Sequence, residues 1–289
     1  MLIAGVATFR RESLTATLAS LGAQDRRPDA VVVADNDDVP GARGRAEAAA
    51  GAAGLPLRYV HAPARNIARA RNAVLDAARA AGARRLAWID DDEVAPPGWL
   101  SGLEADLAPG LAAVFGPCRA AYPDGAPGWM RALSPHDQRV PVTGGHVRCG
   151  HTGNALVRLD APALTGLRFD EAFGRSGSED TAYFQAGFAR GARYGLSEAA
   201  VIEPVAPDRL DPEWLLGRRG RSGAAYLRTL PDGHARVAAA ALPKAAWCAA
   251  GARLARTEAA RWSYRLRAAY HRGVLSAAAG GAPADHYGA

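Results

Sequence analysis

The sequence predicts an α/β fold: a mostly parallel sheet flanked by helices, followed by a basic helical C-terminal extension. Three observations predict it. Short apolar runs alternate with stretches of helical periodicity, the pattern of strands joined by helical crossovers. Polar and acidic residues collect at the ends of those runs, where such sheets bind ligands. The last part of the chain then loses its strand signal and turns helical and cationic. With 289 residues the chain can bury one sizeable α/β core and still carry an appendage.

Residues 2–8 read as a buried strand, and Leu14, Leu18 and Leu21 then repeat at helical spacing with Ser13 as the expected N-cap. Residues 30–34 form the second strand, which ends in Asp35-Asn36-Asp37-Asp38. A Gly/Ala-rich helical piece leads to a short strand at 57–60, and residues 67–81 place Ala70, Val74, Ala77 and Ala78 on one helical face. The next strand, ending Trp88-Ile89, delivers Asp90-Asp91-Asp92-Glu93 before Pro96-Pro97 stops it. Four successive carboxylates repel one another, so such a strand end is expected to hold a cation, typically Mg2+ or Mn2+ bound to a phosphate. Residues 117–148 are rich in Pro and Gly and read as irregular. Strand character returns at 154–157, while 179–190 and 213–230 read as helices. A loose boundary near 205–208 divides a domain of residues 1–207 from an extension of residues 208–289.

Charge is distributed unevenly. Between His234 and Arg272 stand Arg236, Lys244, Arg253, Arg256, Arg261, Arg265, Arg267 and Arg272 against Glu258 alone, a local charge of about +7 beside +6 for the whole chain. A basic tail on a near-neutral body points to an anionic surface as partner and argues against a nucleic-acid-binding protein. Cys118, Cys149 and Cys248 show neither pairing nor metal spacing, which suggests free thiols in a reducing compartment. The apolar start lacks a basic leader, and residues 237–252 are interrupted by Pro243 and Lys244. The expected location is therefore cytoplasmic, with attachment at the inner face of the plasma membrane left open.

Seven motifs follow in order: Val6-Ala7-Thr8-Phe9-Arg10-Arg11, Val33-Ala34-Asp35-Asn36-Asp37, Ile67-Ala68-Arg69-Ala70-Arg71-Asn72, Ile89-Asp90-Asp91-Asp92-Glu93 with Trp99-Leu100, Thr152-Gly153-Asn154, Ser178-Glu179-Asp180, and Trp214-Leu215 with Arg218-Arg219-Gly220-Arg221-Ser222-Gly223. Over residues 1–230 this series resembles the inverting glycosyltransferases of family 2, with the GT-A (nucleotide-diphospho-sugar transferase) fold. It is especially similar to the bacterial branch that builds exopolysaccharides such as succinoglycan.

The resemblance implies a nucleotide-sugar donor, UDP-linked by preference, and a glycan or lipid-linked acceptor. It implies a divalent metal held by the D-x-D motif at Asp90 and Asp92, with Asp92 as the direct ligand. Asp90 or Asp91 then faces the ribose or the sugar, and Asp35, with Asp37 as the alternative, accepts from the base. Thr8, Arg10 and Arg71 complete the donor side, with Arg218 and Arg221 meeting the diphosphate through their planar forks. Asp180 is the expected general base, supported by Glu179 at a helix start. Thr152, Gly153 and Asn154 border the acceptor, and His151 reads best as a satisfied loop histidine. Two departures stand out. Ala7 and Arg10 replace the family's commoner Pro and Asn, and the Q-x-x-R-W motif is missing, which argues against a processive synthase. A nucleotidyltransferase or a phosphatase is the alternative use of the acidic strand end. In the tail, Trp262, Leu266, Ala269 and Tyr270 share one helical face, either a membrane-interfacial surface or a packing face.

Overall fold

The computed structural model of the protein describes residues 1–230 and 232–281. They form two compact units, one of Met1–Arg119 and Asp137–Glu203, the other of Ala120–His136 and residues 204–281. In chain order the elements are β1 (Leu2–Thr8), α1 (Leu14–Gly22), β2 (Ala30–Asp35), α2 (Arg43–Ala52), β3 (Leu57–His61), α3 (Ile67–Ala80) and β4 (Arg85–Ile89). Next come α4 (Trp99–Asp106), β5 (Ala113–Phe115), β6 (Cys118–Ala121), α5 (Gly128–Leu133), β7 (Val142–Thr143), β8 (His146–Val147), β9 (Asn154–Arg158), α6 (Glu179–Ala189), β10 (Tyr194–Leu196) and β11 (Val201–Pro204). The chain closes with α7 (Pro212–Thr229), α8 (His234–Leu254) and α9 (Glu258–Ala278).

A seven-stranded sheet in the order β10-β5-β9-β4-β1-β2-β3 organises the first unit, and only β9 runs antiparallel to its neighbours. The predicted mostly parallel sheet is therefore present. Both of its faces are covered, which is why β1 and β2 read as unbroken apolar runs. Leu2, Ala4 and Val6 of β1 pack with Leu14, Leu18, Leu100 and Leu103, while Ile3 and Ala7 pack on the opposite face with Ala70, Val74 and Ala78 of α3. Asn66 caps α3 through its side chain, which accepts from the Arg69 amide at 3.2 Å.

Ser13 does not serve as the expected side-chain cap of α1. Its backbone is helical, and the carbonyls of Glu12 and Ser13 already accept from Thr15, Ala16 and Thr17. The stretch read as irregular contains β6, α5 and the β7–β8 hairpin, elements too short for a periodic signal.

The second unit is helical. Gly223 of α7 lies so close to Tyr270 of α9 that an added Cβ would stand 1.9 Å from that residue's carbonyl oxygen, and Gly273 meets Gly220 in the same way. Backbones can approach this closely only where side chains are absent. The interfacial reading of α9 is overturned by this packing. Trp262 stacks on Trp129 at 4.5 Å, while Leu266 and Ala269 are buried, so the apolar face of α9 is an internal surface.

Candidate active site

At the carboxyl edge of the sheet, strand order reverses about β1, with β2 and β3 to one side and β4 to the other. Such a switch point leaves a crevice in which parallel α/β sheets bind ligands. Asp90–Glu93 leave β4 here and diverge. Asp90 remains 36% exposed, whereas Asp91 and Glu93 are buried. The Thr8 hydroxyl, at the end of β1, donates to Asp91 Oδ2 at 2.6 Å. Glu93 folds back beneath the turn, where its Oε2 accepts from the Asp90 amide at 2.9 Å. Asp92 is partly exposed, with the Arg11 guanidinium 3.8 Å away.

Burial first, and then repulsion from Asp92, pushes the Asp91 carboxyl up from its ordinary 3.8 to about 7. The folded protein thus holds a proton that the unfolded chain releases near pH 4. Stability then falls as pH rises from about 4 to about 7 and levels off above. Thermal melts of metal-free protein across this window should show that slope for the wild type and a smaller one for Asp91→Asn.

A second segment reaches the acidic turn from far along the chain. Gly177 and Ser178 both adopt positive φ, +82° and 76°, and aim the start of α6 at the site. For Ser178 that conformation carries strain, of the kind that persists only when surrounding structure imposes it. Arg71 of α3, itself buried, bonds Glu179 through Nη1 and reaches Asp90 Oδ1 through Nη2 at 3.3 Å. One guanidinium therefore ties the acidic strand end to the α6 N-terminus. Asp180, beside Glu179, is partly exposed and accepts from the Thr181 amide at 2.6 Å. Burial raises the Asp90 carboxyl, Arg71 lowers it, and Asp92 and Asp180 both raise it. Asp90, Asp92 and Asp180 thus share one electrostatic neighbourhood.

The crevice wall comes from β9 and the loop before it. An added Cβ on Gly153 would stand 2.9 Å from Glu93 Oε1 and 3.3 Å from Asp90 Oδ2, so only glycine lets the carboxylates approach here. Asn154, expected beside an acceptor, is instead a fully buried strut. Its Oδ1 accepts from Trp99 Nε1 at 2.8 Å, and its Nδ2 donates to the carbonyls of Pro117 and Ala199. Thr152 is also fully buried, and its hydroxyl has no partner among the described residues. His151 is not the satisfied loop histidine the sequence suggests. Its Nδ1 lies 3.9 Å from Cys118 Sγ, and its buried Nε2 has no partner among the described residues. Burial lowers its pKa and Asp180 raises it, so the ring lies within Asp180's field. Glu93 and Cys118 also border the candidate site, Glu93 within the acidic motif but with no individual role expected of it, and Cys118 outside every motif. Glu93 was visible as the fourth carboxylate of its run, whereas Cys118 carries no local signal.

At the neighbouring strand end, Asp35 is fully buried and engaged. Its Oδ1 accepts from the Asp37 amide, and its Oδ2 from the Ala42 amide and the Tyr59 hydroxyl. It therefore holds the β2–α2 turn, which leaves little capacity for a ligand. Asp37 forms a two-pronged pair with Arg10 at 2.7 and 2.8 Å, and Arg10 is 54% exposed. Arg10 also has positive φ, 55°, a second strained residue bordering the crevice.

Arg218 and Arg221 lie on α7 in the helical unit, a separate compact unit from the acidic turn. Arg218 sits 5.6 Å over the Trp214 ring, and its buried Nη1 has no partner among the described residues. Burial first, and then the neighbouring Arg218, lowers the Arg221 pKa, so the two cations stand close enough to repel. Among the described residues, no three His, Cys, Asp or Glu side chains stand together in ligating positions.

A family model described as "Glycosyl transferase family 2" matches residues 4–162, more than half of the chain. The chain belongs to glycosyl transferase family 2. As a glycosyltransferase it is 40% identical to the succinoglycan biosynthesis protein ExoM of Rhizobium meliloti (strain 1021), over 99% of its own length and 95% of the relative's. Among solved structures it resembles S. aureus TarS residues 1–349, with a TM-score of 0.53 at 15% identity, covering 96% of this chain and 91% of that one. A longer TarS structure is spanned for 55% of its length. GalNAc-T7 with UDP, GalNAc and Mn2+ gives a TM-score of 0.56 at 12% identity over 79% of this chain and 47% of that one. These structures share the GT-A architecture with this glycosyltransferase. The phosphatase and nucleotidyltransferase alternatives give way to the family assignment.

Proposed function

We propose that the protein transfers a sugar, with inversion, from a UDP-sugar to a hydroxyl of a glycan or lipid-linked acceptor during assembly of a cell-surface polysaccharide. The single observation that carries the mechanism is the Arg71 bridge, which brings the α6 start to the acidic turn of β4. The polysaccharide context is supported by the near full-length similarity to a succinoglycan biosynthesis protein. The donor class is supported by a structural neighbour in complex with UDP-GlcNAc, TM-score 0.52.

In this reading the acceptor oxygen attacks the anomeric carbon from the face opposite the leaving group. The C–O bond to the diphosphate breaks, its electron pair leaves with the nucleotide, and the acceptor proton passes to the Asp180 carboxylate. Glu179 is buried against Arg71 and so holds the segment rather than accepting the proton. Asp90 and Asp92 are hard oxygen donors in a turn of four successive carboxylates, with Arg71 and Arg11 beside it, which fits Mn2+ or Mg2+ as the cofactor. Such an ion, when bound, supplies Lewis-acid neutralisation of the departing diphosphate. Thr8 sets the rotamer of Asp91 toward the donor, and the Arg10–Asp37 pair faces the base, with Asp35 shaping the turn behind it. Gly153 forms the wall on the acceptor side, with the buried Thr152 and Asn154 bracing it from behind. Residues 1–207 carry this chemistry, and residues 208–289 meet the anionic inner surface of the membrane. No helix among the described residues is long and apolar enough to cross a bilayer.

A thermal melt tests the donor and metal assignments together. UDP with Mn2+ should stabilise the protein by about 2.7 kcal/mol at a hundredfold excess over Kd, with either alone giving far less. Full stabilisation by UDP alone would remove the metal. No response to UDP, alongside a response to GDP or dTDP, would change the base.

A further inference from the structure

The helical unit is the basic part of the chain, yet the face through which it would meet an anionic surface is not the one its sequence advertises. The aromatic face of α9 is internal, packed on α5 and α7. The most exposed large apolar residues of this unit lie on α8, where Leu242 is 63% exposed, Trp247 71% and Leu254 81%, against 41% for Tyr226 of α7. Single exposed apolar side chains are ordinary on a protein surface, but three on one face of one helix are not.

The helix geometry makes them a single surface. At about 100° per residue, Ala246 and Ala250 mark the centre of the outward face, with Leu242 on one flank and Trp247 and Leu254 on the other. Pro243, Ala246 and Ala250 on this face are exposed as well. Ala241 and Cys248, the buried pair of α8, point the opposite way.

The charges around this surface select its occupant. Arg236, Lys244, Arg253 and Arg256 are all exposed on or just after α8, and no carboxylate occurs between His234 and Thr257. A second copy of the chain presenting the same face would bring like charges together, which disfavours self-association there. A planar anionic surface with an apolar interior satisfies both components. Trp247 would sit at headgroup depth, with the leucines below it and the cations reaching up to phosphate.

We propose that α8 lies in the interface of an anionic lipid bilayer, with Leu242, Trp247 and Leu254 inserted and Arg236, Lys244 and Arg253 against the headgroups. This deepens the membrane-surface part of the function proposed above and rests on it, while replacing α9 with α8 as the contacting element.

Flotation of the full chain at low salt tests it, with vesicles of phosphatidylcholine alone or containing about one-third phosphatidylglycerol. The wild type should float with the anionic vesicles and remain behind with the neutral ones, and raised salt should release it. The triple variant Leu242→Ser/Trp247→Ser/Leu254→Ser should lose roughly tenfold or more in partitioning, since three inserted apolar side chains are removed. Its melting temperature should stay close to the wild-type value, because these side chains are mostly exposed. Leu196→Ser, an exposed leucine in the other unit, should float unchanged. If the wild type floats and the triple variant floats equally well, α8 is not the contact, although the membrane reading stands. If the wild type never floats, both fail. A wild-type dimer that the triple variant converts to monomer, without flotation of either, would assign the face to a second copy.

Discussion

Asp180→Asn should lower kcat by roughly 10²–10⁴-fold, the range that a positioned general base contributes. Asparagine keeps the shape of the side chain but cannot take the acceptor's proton. Its cost should fall on kcat, with the donor KM close to wild type, because the carboxylate's bonds within the chain are to Thr181 next door. For the same reason the melting temperature should not move. Steady-state kinetics with saturating donor, read beside a thermal melt, separate a chemical defect from a folding one. Activity within a few-fold of wild type would rule out Asp180 as the base. Glu179 would not then inherit the role, since it is buried and paired with Arg71.

Arg71→Met should destabilise the first unit by about 3–5 kcal/mol, the cost of stripping the partner from a buried charge. Arg71 and Glu179 are both almost wholly inaccessible, and Glu179 Oε2 already lacks a partner among the described residues. Without the guanidinium, Glu179 must either stay charged in an apolar setting or take up a proton. Asp90 would lose its counter-charge at the same time. Transfer should fall with stability, because α6 would no longer be held against the acidic turn. The double variant Arg71→Met/Glu179→Gln should recover a large part of the lost stability while remaining inactive, since no uncompensated charge is left behind. Denaturant titration of the three variants gives the comparison. A double variant no more stable than Arg71→Met would mean that the pair is not what holds the segment.

Local patterns settled much of the molecule. The apolar runs of β1, β2 and β4, the helical repeat of α3 and the acidic clusters at strand ends are all visible within windows of ten residues or fewer, and from them follow the parallel sheet and the edge that carries the candidate site. The ordered motifs carried the family for the same reason, since each is a short segment with its own spacing. What the sequence could not decide was which polar groups remain free. Asp35 and Asp37 look alike in Asp35-Asn36-Asp37, yet Asp35 is taken up by Tyr59 and the next turn, while Asp37 pairs with a solvent-facing arginine. Asn154 reads as a ligand-facing residue but is bonded on all sides by Trp99, Pro117 and Ala199. The Arg71–Glu179 bond joins residues 108 positions apart, and the outward face of the tail falls on α8 instead of α9. Periodicity reports which residues share a face. Whether that face meets protein, ligand or water depends on what packs against it, and only the tertiary structure supplies that partner.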